Sequence, residues 1–245
     1  MKVSVAQIKP NKGNIQENIK IHKKWIELAI SEDTDFIVFP ELSLTGYEPE
    51  LAKELAIEKN DSRLDGFQKL SDMNNITIGL GMPTKSDFGI LISMIIFQPG
   101  QVRKVYSKQK LHSDETPYFI EGNEQLILTV KDIKIAPAIC YESLQKEHSE
   151  SANKFGMEIY LASVAKSQKG IKKAFIRYPE IATRFSVPVL MSNSIGFCDN
   201  FISSGQSAVW NEKGELLERL ENDKEGLLIF DTESKKVMKK RKNYC

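Results

Sequence analysis

Cysteine and histidine are scarce in this chain, with three of each among 245 residues. Cys140, Cys198 and Cys245 make an odd count at wide spacing and include no CxxC pair, which argues against both a disulfide framework and a structural zinc site. The thiols are expected to be reduced. His22, His112 and His148 form neither an HxxxH nor an HExxH pattern, so no protein-bound metal is expected. An excess of one charge is missing as well. The 34 Lys and Arg face 33 Asp and Glu, a net charge of +1, so no global field draws the protein to nucleic acid or to an anionic membrane. No apolar run approaches the roughly 20 residues that span a bilayer, and the opening MKVSVAQIKP lacks the apolar core of a signal peptide. These absences point to a cytoplasmic protein that works on small molecules or contacts other proteins, with no nucleic-acid or membrane partner.

Internal repeats and low-complexity linkers are also absent, and a chain of this length that is 41% hydrophobic can bury a full core, so one domain over residues 1–245 is expected. What is present is a series of apolar, β-rich runs: VSVAQI, DFIVFPE, ITIGLG, ILISMIIF, LILTV, IKIAPAIC, EIYLAS, VPVLMSN, QSAVW and GLLIFD. Several are continuous rather than alternating, as in strands covered on both faces. Helical patterns lie between some of them. From Asn14 to Ile30, Ile15, Ile19, Ile21, Trp25, Ile26 and Ala29 form an apolar stripe; a polar segment from Leu144 to Phe155, with His148 facing solvent, and a third from Ile171 to Phe185 follow. Strands alternating with helices imply a layered α/β architecture. GLGMP (79–83) reads as a strand-ending turn, because it lacks the third glycine of a nucleotide loop. The basic run from Lys235 to Lys242 reads as a solvated terminal segment.

Three stretches carry the chemistry. IKIAPAICYES (133–143) is an apolar strand that ends on Cys140 and then turns polar. DFIVFPELSLTGYEP (35–49) has the same layout, with Glu41 where the strand ends and Pro40, Gly46 and Pro49 fixing the loop. KVYSKQKLHSDETPYFIEGNE (104–124) packs lysines, glutamates and aromatics into a loop between two strands. A thiol needs a base to become a nucleophile, and a glutamate can be that base. Attack on an amide carbonyl then places negative charge on oxygen, which a lysine ammonium and a backbone N–H can stabilise. A Glu, a Lys and a Cys at the ends of different strands thus make an acyl-transfer site without histidine.

In these segments the chain resembles the nitrilase superfamily of carbon–nitrogen hydrolases. MKVSVAQIKPNKGN is similar to the family's opening, DFIVFPELSLTGY to its first signature, YSKQKL to its second and PAICYES to its third; VPVLMSNSIG, SGQSAVWNEKGELL and KKRKNY are similar to later segments. The resemblance implies a four-layer α-β-β-α sandwich, usually paired into a homodimer. It implies Glu41 as general base, Lys108 as the oxyanion-stabilising lysine in preference to Lys110, and Cys140 as nucleophile. Glu115, ahead of Tyr118 and Phe119, is similar to the family's additional glutamate, with Glu121 as competitor. The implied reaction is hydrolysis of a small carboxamide or N-carbamoyl compound through a thioester, with the Tyr141 N–H as second oxyanion donor and no cofactor. Tyr141 after the nucleophile is more similar to the amidase and carbamoylase branches than to true nitrilases.

The sequence departs from the family pattern at Lys110, where a His is usual, and after Cys140, where CYESLQKE lacks an Arg-Phe-Pro-Glu-like continuation. Three other readings stand beside this one: nitrile hydrolysis by the same site, a Cys-His hydrolase using His112 or His148, and a catalytically silent binding protein. Glu142 is expected to pair with a neighbouring cation, Asn193 to act as a turn residue, and Cys198 and Cys245 to be bystanders.

Overall fold

The computed structural model describes residues 1–241. Along the chain lie β1 (Lys2–Gln7), α1 (Ile15–Ser31), β2 (Phe36–Val38), α2 (Ala52–Leu55), α3 (Asp65–Asn74), β3 (Thr77–Ser86), β4 (Gly89–Phe97) and β5 (Lys104–Ser107). These are followed by β6 (Leu128–Val130), β7 (Ile133–Ile139), α4 (Lys146–Lys154), β8 (Ile159–Val164), α5 (Gln168–Phe185) and β9 (Val189–Asn193). A strand-rich end completes the order: β10 (Ile195–Cys198), β11 (Phe201–Ser204), β12 (Ala208–Trp210), β13 (Leu216–Arg219), β14 (Gly226–Asp231) and β15 (Val237–Lys240).

The strands sort into two large sheets, β15-β14-β1-β2-β3-β4-β5 and β13-β12-β9-β8-β7-β6, with β10 and β11 as a separate hairpin. Each large sheet has a parallel trio, β1, β2 and β3 in the first and β7, β8 and β9 in the second, flanked by antiparallel strands. The N-terminal β1 is an inner strand: it pairs antiparallel with β14, from Lys2 opposite Asp231 to Gln7 opposite Gly226.

Three apolar layers show how the strands are used, because alternate residues of one strand go to different cores. Val3, Val5, Phe36, Val38, Ile92 and Met94 of the first sheet meet Ile135, Ile139, Ile159, Leu161 and Leu190 of the second. The intervening Ile37, Ile78, Leu80 and Ile95 instead pack under Ile15, Ile19, Trp25, Ile26 and Ala29 of α1 and Phe67 of α3. On the far side Ala136, Ala138, Tyr160 and Ala162 pack under Ile171, Ala174, Tyr178 and Ile181 of α5. The result is the expected α-β-β-α sandwich. Helix α1 begins where the sequence predicts, with the Asn14 side chain accepting from Glu17 N at 3.2 Å.

Buried hydroxyls tie the two sheets together where their parallel trios end. Ser163 of β8 donates to Phe39 O just past β2 at 2.8 Å, and Ser192 of β9 donates to Ala6 O of β1 at 2.6 Å. Both open sheets therefore present their carboxyl ends at one edge, the place where such sheets collect ligands.

Three expectations need correction. GLGMP is no turn but the middle of β3. Its Gly81 has no space for a side chain, since a Cβ there collides with Leu42 N and Pro40 O. The glycine serves close backbone approach rather than a bend. Residues 104–107, read as part of a loop, form β5 against β4. The basic terminal run is not simply solvated: Val237–Lys240 pair with β14, Lys240 bridges Glu32 at 2.8 Å, and Lys239 and Arg241 both reach Glu221. Lys242 and Cys245 lie outside the described residues.

Candidate active site

Cys140 sits where β7 ends. Its N–H donates to Ser163 O at 3.0 Å, continuing the ladder to β8, but its φ is +46°, in the left-handed region that a side chain rarely occupies. The chain then folds into a short helical turn, Glu142–Leu144, in which Ser143 N and Oγ both donate to Cys140 O and Ser143 Oγ pairs with the Tyr178 hydroxyl at 2.7 Å. Strand, left-handed residue and helical turn together project the thiol out of the sheet.

Glu41 is held by the neighbouring turn, which lies flat on β3. Leu44 N donates to Gly81 O at 3.0 Å and Gly81 N to Ser43 Oγ at 3.2 Å. His22 on α1 supports Ser43 from behind: Nδ1 donates to Asn18 O at 2.6 Å, leaving Nε2 to accept from the Ser43 hydroxyl at 2.9 Å. Burial pushes this imidazole down to about 4, so it stays neutral. Lys108 follows β5, with its N–H on Ile92 O and its carbonyl accepting from Gly122 N.

These elements gather Lys108, Glu41 and Glu115 into one cluster that is almost wholly inaccessible. Lys108 Nζ lies 2.8 Å from Glu41 Oε1 and 2.6 Å from Glu115 Oε1. Glu115 is saturated: the Tyr47 hydroxyl donates to Oε1 at 2.8 Å and His112 N to Oε2 at 2.7 Å. Glu41 Oε2 is buried with no hydrogen-bond partner among the described residues. Burial drives the Glu41 carboxyl upward, with Lys108 opposing this and Glu115 adding to it. Burial acts the other way on Lys108, but the two carboxylates override it and hold the ammonium charged, well above the usual lysine range. The Cys140 thiol is pushed up to about 12, first by burial and then by Glu41, against the pull of Lys166 and Lys108. A carboxylate with an unpartnered oxygen and a thiol reluctant to ionise alone thus share one buried site.

A cavity of about 540 Å³ opens above this cluster, with Cys140, Glu115, Tyr47, Tyr141, Lys166 and Phe201 in its lining. Glu41 and Lys108 are buried and do not line it. Tyr141 is half-buried at the rim, 5.2 Å from the His112 ring in an edge-on contact; the hydrogen bonds of its turn begin at Ser143, and its N–H has no acceptor among the described residues.

The alternatives left open by the sequence separate clearly in space. Lys110 and Glu121 are exposed and lie 3.9 Å from each other, away from the cluster. His112 lines the cavity, bonded to Asp114 at 2.6 Å. His148 does not face solvent. It is buried between Tyr106 and Tyr160, and burial pushes it down to about 4. Glu142 meets no charged partner among the described residues, since His148, 3.7 Å away, is held neutral; it accepts from Tyr106 OH at 2.6 Å, Ile139 N at 2.7 Å, Gln109 N and Lys110 N. Asn193 does not bond its own backbone: Oδ1 accepts from Lys166 N at 2.8 Å and Nδ2 donates to Gly205 O at 2.7 Å. Lys166 itself, just past β8, has no sequence signal, since a single lysine after a strand resembles any surface lysine. Among the described residues no group of three His, Cys, Asp or Glu side chains is placed to hold a metal ion, and no helix is long and apolar enough to cross a membrane.

Two sheets back to back, helices outside and a thiol, two carboxylates and an ammonium at one edge define a hydrolase-like α/β architecture. The carbon–nitrogen hydrolase family model matches residues 2–242, and the chain belongs to that family. It is 27% identical over 253 residues to the glutamine-dependent NAD(+) synthetase of Acinetobacter baylyi, covering 97% of this chain and 46% of that protein. This chain therefore spans less than half the length of that relative. It is 29% identical over 160 residues to the 2-oxoglutaramate amidase of Bacillus subtilis, covering 62% of this chain and 61% of the amidase. The fold is shared with the Nesterenkonia AN1 amidase of the nitrilase superfamily at a TM-score of 0.87, with 18% identity and coverage of 96% and 92%. A C–N bond hydrolase is the activity this family defines.

Proposed function

We propose that the protein hydrolyses a non-peptide C–N bond of a small carboxamide through a thioester on Cys140. The observation that carries this reading is the buried Glu41–Lys108–Glu115 cluster under a cavity that Cys140 enters. Glu41 takes the thiol proton through its unpartnered oxygen, and the freed electron pair on sulfur attacks the carbonyl carbon. Lys108 and the Tyr141 N–H stabilise the oxyanion. Collapse of the tetrahedral intermediate expels ammonia or an amine, which takes the proton from Glu41. Water, deprotonated by Glu41, then releases the acid and restores the thiol. Glu115 holds Lys108 in place from the other side.

The cavity wall supports a substrate that carries a carboxylate. Lys173 and Arg177 of α5 line it together with Lys166, against Asp114 and Glu115. Cations on a wall of a partly closed pocket favour an anionic ligand. The names of two relatives agree: one depends on glutamine and the other is an amidase of 2-oxoglutaramate. A terminal amide of a small amino or oxo acid is thus preferred to an N-carbamoyl compound or a nitrile.

The test is intact-mass spectrometry with ammonia detection, on wild type and Cys140→Ala mixed with short amides, ω-amides of amino and oxo acids, N-carbamoyl compounds and nitriles. Ammonia from the wild type alone, with an acyl adduct mapped to Cys140 and ω-amides fastest, is the expected result. Folded wild-type protein giving neither ammonia nor adduct would favour a silent binding protein and overturn the reading.

A further inference from the structure

Two lysines favour ionisation of Cys140, one from each sheet. Lys108 is already engaged by two carboxylates. Lys166 comes from the nucleophile's own sheet and is only 4% exposed. Its Nζ lies 3.1 Å from Cys140 O and 3.8 Å from Cys140 Sγ, and among the described residues no carboxylate pairs with it. Burying an ammonium against a carbonyl and a thiol is unfavourable unless an anion forms nearby. Its backbone is also firmly fixed: Lys166 N donates to Asn193 Oδ1, while Lys166 O accepts from Ser204 N at 2.9 Å and from Ser203 Oγ at 3.3 Å. The polar side chain of Asn193 is thereby explained as the brace of this lysine.

We propose that Lys166 is a second catalytic lysine, the counter-ion of the Cys140 thiolate. When the thiol proton passes to Glu41, the electron pair stays on sulfur and Lys166 remains protonated beside it. Counting charge shows why Lys108 alone does not suffice. With Glu41 and Glu115 ionised and Lys108 protonated, the cluster carries one net negative charge, and moving the thiol proton to Glu41 leaves that sum unchanged. Lys166 makes the site neutral before and after the transfer. The groups that face the thiol agree with this. Glu41 and Glu115 oppose its ionisation, while Lys166 favours it ahead of Lys108. The Tyr47 and Tyr178 phenols remain protonated through burial, and His112, Asp114, Lys173 and Arg177 stand further round the cavity.

The inference rests on Cys140 being the nucleophile but not on any particular amide, so its test uses a thiol probe. The rate of iodoacetamide alkylation, mapped to Cys140 by peptide mass, is followed from pH 6 to 10 in wild type, Lys166→Met, Lys166→Gln and Lys166→Arg, with folding checked by circular dichroism; the alkylation midpoint is taken as the pH at which a protein reaches the rate that wild type shows at pH 8. Loss of the charge is expected to raise the alkylation midpoint by about one unit or more, a roughly tenfold loss of rate at neutral pH. Lys166→Arg is expected to stay close to wild type. Lys166→Gln keeps a hydrogen-bond donor without the charge, so a wild-type midpoint in that variant overturns the proposal, even where Lys166→Met fails to fold. Selective slowing of the anionic probe iodoacetate with an unmoved midpoint also overturns it, because Lys166 would then anchor a substrate carboxylate instead. Inactivity of all amides with the expected midpoint shift would remove the hydrolase reading and leave this one standing.

Discussion

Glu41 and Glu142 are both glutamates just past the end of a parallel strand, and both are buried, yet the protein treats them in opposite ways. Glu142 has each oxygen filled: Tyr106 OH and Ile139 N donate to Oε1, and Gln109 N and Lys110 N to Oε2. It thereby joins the turn that carries Cys140 to the turn that carries Lys108. Glu41 shares one oxygen with Lys108 and keeps the other empty. A saturated buried carboxylate acts as a strut, because proton transfer to it would cost hydrogen bonds it already accepts. An unsaturated one costs free energy to bury and is the group ready to take a proton. Burial alone therefore does not set the two apart; the unfilled lone pair does, and it is the ground on which Glu41 is proposed as the base.

The sharpest way to break this contrast is to neutralise each carboxylate. Glu41→Gln keeps an oxygen for Lys108, so acyl-enzyme formation is expected to fall by about 10²–10⁴-fold, while chemical denaturation shows stability within about 1 kcal/mol of wild type. Glu142→Gln turns an amide NH₂ toward N–H donors and leaves some of them unmet, at a cost of roughly 2–5 kcal/mol. A calorimetric midpoint lower by roughly 4–20 °C is the expected reading. A Glu142→Gln protein that keeps its midpoint but loses turnover would dissolve the distinction.

Smaller effects sharpen it. Gly81→Ala touches no reactant but forces the Glu41 turn off β3, so a loss of roughly 1–3 kcal/mol is expected, as in overpacked cores. Reduced turnover with KM retained should accompany it; full activity would show that the turn is not seated by that glycine.

Acid melts separate the strut's own members. His148, held at about 4, takes up no proton while an unfolded histidine does below its ordinary value of 6.5, so its contribution is full above that pH and is lost as pH falls toward 4. Burial raises Glu142 to about 7 despite its hydrogen bonds, so its contribution has the opposite sign, present below 4.5 and lost as pH rises through 7. Melting between pH 4 and 7 is expected to steepen on its acid side in Glu142→Gln and to flatten in His148→Gln. Identical slopes in the two variants would refute the assignment.

Much of this was legible because it is local. Glu41 and Cys140 each follow an apolar strand, and Glu115 lies seven residues from Lys108 in one segment read as a loop, so two strand endings and that segment bring the cluster together. The strut was not legible. Around His148 the helix is polar by composition, and its burial depends on Tyr106, 42 residues upstream, and on Tyr160 from the adjacent strand. Lys166 was hidden for the same reason, since its meaning comes from Cys140 on the neighbouring strand. The strands β10, β11, β13 and β15 are short, and their exposed positions weaken any periodic signal. Gly81 was misread because the crowding that excludes a Cβ comes from a turn some 40 residues earlier in the chain.

The pairing of β1 with β14 also sets a schedule. Gln7 meets Gly226 only after roughly 220 further residues have been made, about 10–45 s at ribosomal rates of 5–20 residues per second. Until then a strand whose residues from Val3 to Gln7 are all buried in the finished protein presents one open edge, the kind of edge on which chains pair with the wrong partner. The second sheet, contiguous from Leu128 to Arg219, has no such wait. During synthesis, then, the sheet that ends at Cys140 can be assembled while the sheet that leads to Glu41 is still waiting for its last inner strand.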